Sequence, residues 1–257
     1  MGQYWMLLNY DKRISSGHLG KLGEFWSSGT GNYLFQRLIV PAEPLPSHTI
    51  DESTKGIVNI GEWAGDRMIC VGDYIGDCPP DAFSEDELKE VEANGNLYQL
   101  ADYRFRGMHQ KKGIREGEME IAYPEGRSWV LRNLSKKLFV LLDEFQASDC
   151  GDVEQILLSH ICWSTDPSSS MLHDVTRGTW AGDRFDITLI ENVLDGSEGP
   201  WKDVTEEVIE KIKLIWDSEN RRPEESMWMM QKAIQAQMER QKAFGEQAPF
   251  FTLESNL

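Results

Sequence analysis

The stretch GEWAGDRMICVGDY at residues 61–74 and the stretch GTWAGDRFDITLIE at 178–191 share the pentapeptide WAGDR, and each runs on into apolar residues. At residue frequencies of about 5% each, a five-residue coincidence that includes tryptophan is roughly a one-in-a-hundred event. A second match stands upstream of each copy. Residues 4–13 read YWMLLNYDKR and residues 128–137 read SWVLRNLSKK. Trp5, Leu7, Asn9 and Lys12 thereby correspond to Trp129, Leu131, Asn133 and Lys136. Alternation of Trp5, Leu7 and Asn9 has the two-residue period of a strand. Asn followed by Asp-Lys or Ser-Lys is turn chemistry, because these side chains tolerate left-handed backbone and bond their own main chain. Each decamer is expected to form the first strand and turn of a hairpin.

Two motifs in the same order at similar spacing signal an internal duplication. The expected fold class is α+β, with two internally duplicated, mainly antiparallel β units packed together and C-terminal helices closing them. The first unit is placed at 1–125 with an acidic helical insertion, and the second at 126–200. A C-terminal helical segment at 201–257 stands outside the duplication, within one compact body. FSEDELKEVEANG at 83–95 opens with a capping box, Ser84 to Glu87, and closes at Asn94-Gly95. WKDVTEEVIEKIKLIWDSE at 201–219 reads as a helix capped by Asp203, with Val204, Val208, Ile212 and Ile215 as its apolar stripe. A second helix over 223–243 begins at Pro223 and carries a face of Met227, Met230, Ile234 and Met238. That face packs on its own domain or on a homodimer mate. DVEQILLSHICWS at 152–164 reads as a helical turn through Leu158, then a strand.

The 257 residues carry a net charge of −17, which argues against a nucleic-acid partner, since phosphate-binding surfaces need clustered Lys and Arg. HQKKGIREG at 109–117 is the one basic cluster, and a solvated loop is its simpler reading. Cys70, Cys78, Cys150 and Cys162 show neither a CxxC pair nor metal-ligand spacing. The opening MGQYWMLLNYDKR lacks the form of a signal peptide, so reduced thiols and a cytoplasmic location are expected. No run approaches 18 apolar residues, so no membrane association is expected, and the myristoylation pattern after Gly2 fails at Met6.

Taken together, MGQYWMLLNYDKR, WAGDRMICVGDY, LSHICWSTD, GTWAGDRFDI and WKDVTEEVIEKIKLIW resemble a family of fungal proteins. Its members open with an MGQYW segment and an Asn-x-Asp-Lys step and carry a WAGDR-type motif. The resemblance covers most of residues 1–220 and brings no assigned activity or catalytic residues. The first copy has Asp11 where the second has Ser135.

Three constellations bear on chemistry. The first is the duplicated Asp66-Arg67 and Asp183-Arg184. If the two loops face one cleft, Asp66 and Asp183 would be the catalytic acid and base. Arg67 and Arg184 would hold an anionic group, and Trp63 and Trp180 would stack a flat ligand. The competing reading makes both Asp-Arg pairs internal ties of a turn, and it weighs slightly more. The second is the acidic series Asp66, Asp73, Asp77 and Asp81. Oxygen ligands suit Mg²⁺ or Ca²⁺, but the spacing matches no EF-hand loop, so an acidic surface loop is preferred and no metal is assigned. The third is His160 with Cys162, a nucleophile couple if the segment is extended, though packing residues are the plainer reading. His18, His48, His109 and His173 have no partners at ligand spacing.

The absence of a phosphate loop, a dinucleotide fingerprint and GxSxG leaves no cofactor to expect. Two function classes stay open. One is an enzyme or small-ligand-binding protein using a pocket near the WAGDR motifs. The other is a protein-interaction module using the acidic surface and the Met-rich helix. The first is favoured because pockets form at junctions between packed units.

Overall fold

The computed structural model describes residues 3–27, 39, 61–108, 127–165, 175–196 and 199–220. The basic cluster at 109–117, the helix expected over 223–243 with its methionines, the tail, His48, His109 and His173 lie outside the described residues. Residues 1–216 form one compact unit. Its chain order begins β1 (Tyr4–Asn9), β2 (Ile14–Ser15), β3 (Gly20–Lys21), α1 (Leu22–Ser27) and β4 (Met68–Gly72). There follow α2 (Glu85–Ala93), α3 (Leu97–Arg104), β5 (Arg106–Gly107), β6 (Trp129–Asn133) and β7 (Leu138–Leu141). Next come α4 (Leu142–Ala147), α5 (Val153–Ile161), β8 (Cys162–Trp163), β9 (Phe185–Leu189), α6 (Glu191–Leu194) and β10 (Lys202–Asp203). The last helix, α7, runs over Thr205–Asn220.

The fold is α+β with two sheets. One has the order β5-β2-β1-β4-β8, with β3 also on β1, and the other has the order β10-β7-β6-β9. Both are mixed rather than plainly antiparallel. Around β1 and β6 the pairings are antiparallel, but β5, β8 and β10 join in parallel. A parallel neighbour requires a crossover connection, and the helical segments before these three strands provide it.

Register explains why both hairpins begin with tryptophan. Trp5 faces Gly72 and Asn9 faces Met68 across β1 and β4, while Trp129 faces Leu189 and Asn133 faces Phe185 across β6 and β9. Alternate residues then divide the two faces. Trp5, Leu7, Met68 and Cys70 enter one large apolar cluster with Trp129, Leu131, Phe185 and Ile187, and α5 and α7 pack into it. Met6, Leu8, Ile69 and Val71 point the other way, onto Val91, Leu97, Leu100 and Phe105 around α2 and α3. The second sheet covers its outer face more thinly, with Val130, Phe139 and Val193, and it buries an Arg132–Asp186 pair there instead.

The capping box of Ser84 and Glu87 forms as the sequence indicates. The stripe Val204, Val208, Ile212 and Ile215 is buried, but α7 starts at Thr205. Asp203 lies in β10 and accepts the Thr205 N–H at 2.9 Å from there. The expected break after Leu158 is also displaced. α5 continues to Ile161, because Asp152 and Gln155 close a capping box and every residue of the helix is buried. His160 therefore sits on a helix and Cys162 on a strand, which removes the extended face on which the two would have met.

Candidate functional site

Each hairpin turn is built around its asparagine. The Asn9 Oδ1 accepts the Lys12 N–H at 2.9 Å, and the Asn133 Oδ1 accepts the Lys136 N–H at 3.0 Å. This lets the fourth turn residue take left-handed backbone, at φ 53° for Arg13 and 54° for Lys137. The amide of each asparagine then reaches the WAGDR aspartate. Asn9 Nδ2 donates to Asp66 Oδ2 at 2.8 Å, and Asn133 Nδ2 donates to Asp183 Oδ2 at 2.8 Å. Lys12 and Lys136 pair with the same two carboxylates. The aspartates thus lock hairpin to loop, and their oxygens are already occupied by donors.

The two loops have the same internal turn. The carbonyls of Trp63 and Trp180 accept the N–H groups of Asp66 and Asp183, both at 3.0 Å. Gly65 and Gly182 stand at φ 81° and 85°, a conformation that a side chain disfavours. The loops also bond each other, with Gly65 N–H on the Phe185 carbonyl at 2.8 Å and Gly182 N–H on the Met68 carbonyl at 2.9 Å. Arg67 and Arg184 form an antiparallel bridge between them. The Asp-Arg steps therefore do meet, back to back, at the seam between the sheets.

A cavity of about 610 Å³ opens on one side of that seam. Arg67, Asp183 and Arg184 border it, with Ser135, Lys136, Arg177 and Trp163. Its volume falls in the usual range for ligand sites. Asp66, Trp63 and Trp180 do not line it, contrary to the six-residue site drawn from the sequence. Trp63 is fully buried in the large apolar cluster. Trp180 is 5% exposed and stacks on His160 with ring centroids 4.0 Å apart. Indole rings gain more from such burial than from walling an open cavity. Asp66, on the opposite loop, is held by Asn9 and Lys12. Asp66 and Asp183 thus do not meet in this cavity.

Charge around the seam is closely balanced. Arg67 stacks on Tyr10, its carbon 4.9 Å from the ring centre, and donates to Glu87 Oε1 at 2.7 Å and Asp11 Oδ1 at 2.7 Å. The Arg67 hydrogen bond holds the Glu87 carboxyl down at about 2. Burial acts to raise the Asp11 carboxyl, but hydrogen bonds from the Arg67 N–H and side chain, with the charges of Arg67 and Arg184, leave it lowered. Burial pushes the Tyr10 phenol up to about 12. On the far wall Arg177 pairs with Asp77 at 2.8 Å and lies 4.5 Å over the Trp163 ring.

The remaining candidates are packing or surface groups. His160 Nδ1 lies 2.8 Å from the Ile156 carbonyl and 2.7 Å from Ser159 Oγ. Burial, with Lys211 nearby, takes its pKa down to about 3, so it is a neutral core histidine. Cys162 pairs in register with Cys70, and burial raises its thiol well above the ordinary value. Asp66, Asp73, Asp77 and Asp81 do not converge, and no metal-sized cluster of carboxylate, His or Cys side chains occurs among the described residues. His18, without a sequence partner, contacts the Tyr98 hydroxyl at 2.5 Å and Asp102 at 3.5 Å. Those residues lie too far along the chain for spacing to have paired them. Asn9, Asn133, Lys12 and Lys136 did carry a signal, because each recurs at the matching place.

No protein-family model, curated protein or solved structure matches the chain, so the resemblance noted above rests on its motifs alone.

Proposed function

We propose that the protein binds a small ligand in the cavity beside the second WAGDR loop, and that the two hairpin-and-loop units are copies of one ancestral unit. The observation that carries the binding reading is the composition of that cavity. Four cationic side chains, Arg67, Lys136, Arg177 and Arg184, border it against the two carboxylates Asp81 and Asp183, in a chain of net charge −17. Such a convergence of cationic and anionic side chains, next to an aromatic wall, suits recognition of a small molecule better than a general surface role. The duplication is supported by the shared register, the shared asparagine turns and the reciprocal loop bonds. Four unpaired cysteines agree with a cytoplasmic location, and no helix among the described residues is long and apolar enough to cross a membrane.

A metabolite-library thermal-shift screen tests the reading, because a ligand bound only by the folded state raises its melting temperature. The same screen on Thr179→Trp provides the control, since Thr179 is exposed and borders the cavity. The reading expects at least one compound to stabilise the native protein and not the variant. A screen without hits, or hits that Thr179→Trp leaves unchanged, would contradict it.

A further inference from the structure

We propose that the ligand is a small carboxylic acid with a flat or apolar body, whose carboxylate docks at Ser135 in the seat that Asp11 occupies on the opposite loop. The proposal rests on the cavity reading and adds to it the chemical class of the ligand. On the first loop the Asp11 carboxylate is held by three donors. These are the Arg67 N–H at 3.0 Å, Arg67 Nε at 2.7 Å and, from across the seam, Arg184 Nη1 at 2.6 Å. The corresponding position on the second loop is Ser135, whose Oγ accepts the Arg184 N–H at 3.0 Å. The backbone donor is therefore the same, but the chain supplies a hydroxyl where the first loop has a carboxylate.

The shorter side chain opens onto the cavity, which Arg67 and Arg184 both border. An external carboxylate there would accept from the Ser135 hydroxyl and from the Arg184 guanidinium, which bonds Asp11 and Gly65 through Nη1 alone and whose fork geometry suits it. Charge favours one negative unit over two. Arg67, Lys136, Arg177 and Arg184 already share the carboxylates Asp11, Glu87, Asp183 and Asp77, so a second negative charge on the ligand would go unmatched. A phosphate dianion would also stand close to Asp183 and Asp81. Beyond the seat the walls are Pro79, Pro80, Ala181 and the Trp163 ring, which suit an apolar or planar remainder.

Isothermal titration with benzoate tests this, with benzamide as the neutral isostere and inorganic phosphate as the other anion. Benzoate should bind, and benzamide and phosphate should bind at least tenfold more weakly. Ser135→Asp builds the missing carboxylate into the chain at an exposed position. It should raise the melting temperature of the unliganded protein by a few degrees and weaken benzoate at least tenfold. Ser135→Asn, of equal size and uncharged, should weaken benzoate less. The proposal is overturned if benzamide or phosphate binds as well as benzoate, or if Ser135→Asp leaves benzoate binding unchanged. If benzoate does not bind while a library compound still stabilises the native protein and not Thr179→Trp, the carboxylate proposal falls and the cavity reading stands. If no library compound does so, the cavity reading falls with it.

Discussion

The two WAGDR loops have the same backbone and different surroundings. In the first, Arg67 is enclosed by Asp11, Glu87 and the Tyr10 ring, and the helix capped at Ser84 covers that side. In the second, Arg184 leaves its own loop to reach Asp11 and the Gly65 carbonyl, and Ser135 takes the place of an aspartate. One loop closes on its own carboxylates, while the other borders a cavity. The common bonds belong to folding, and the differences lie where the proposed ligand would sit.

The largest expected effect breaks this likeness at one glycine. Gly65→Ala forces a side chain into left-handed backbone, with only the end of Leu134 at 4.0 Å from the added carbon. That strain costs about 1–2 kcal/mol. Gly182→Ala carries the same strain, and its added carbon lands 2.5 Å from the Ala82 Cβ. Overpacking of this kind adds about 1–3 kcal/mol. Denaturant unfolding of the two variants should therefore rank Gly182→Ala well below Gly65→Ala, and equal losses would show that the 79–82 segment gives way.

The aspartates come next. Asp66→Asn and Asp183→Asn each lose charge-assisted bonds from an asparagine and a lysine, at a cost of about 1–3 kcal/mol. The likeness of the ties predicts similar losses of stability. Ligand affinity should differ, changing only for Asp183→Asn, since Asp66 does not border the cavity. A loss of affinity in Asp66→Asn at full folding would restore the acid-base pair expected from the sequence.

Acid should act on the second loop before the first. His160, stacked on Trp180, is held neutral with a pKa near 3. The unfolded chain takes up that proton below the ordinary value of 6.5, so the stability is full above about pH 6.5 and is lost as pH falls towards 3. Glu87, beside Arg67, is instead depressed from 4.5 to about 2. Its contribution is complete above about pH 4.5 and is lost between there and 2. Melting curves from pH 7 to 3 should flatten above pH 4.5 in His160→Gln but not in Glu87→Gln. Unchanged slopes in both would exclude these groups.

Much of the scaffold was legible in the sequence because it rests on local rules. The period of Trp5, Leu7 and Asn9 gives a strand, and the asparagine that ends it gives the turn. The capping box at Ser84 and the stripe on α7 are equally local. The sequence also led to Arg67, Asp183 and Arg184, which do border the cavity. Trp63 and Trp180 are buried and do not line this cavity, and a tryptophan in a pocket and one in a core look alike in sequence until packing is known. Arg177, Trp163 and the Pro79–Ala82 segment were out of reach, since they converge only through sheet pairing between distant parts of the chain.

Hydrogen exchange, followed peptide by peptide with and without the library compound that stabilises the protein most, tests the central claim most directly. The account predicts added protection over residues 134–136 and 178–184, with the matching segments 10–12 and 61–65 little changed. Equal protection of both loops, or protection confined to residues away from the seam, would contradict it.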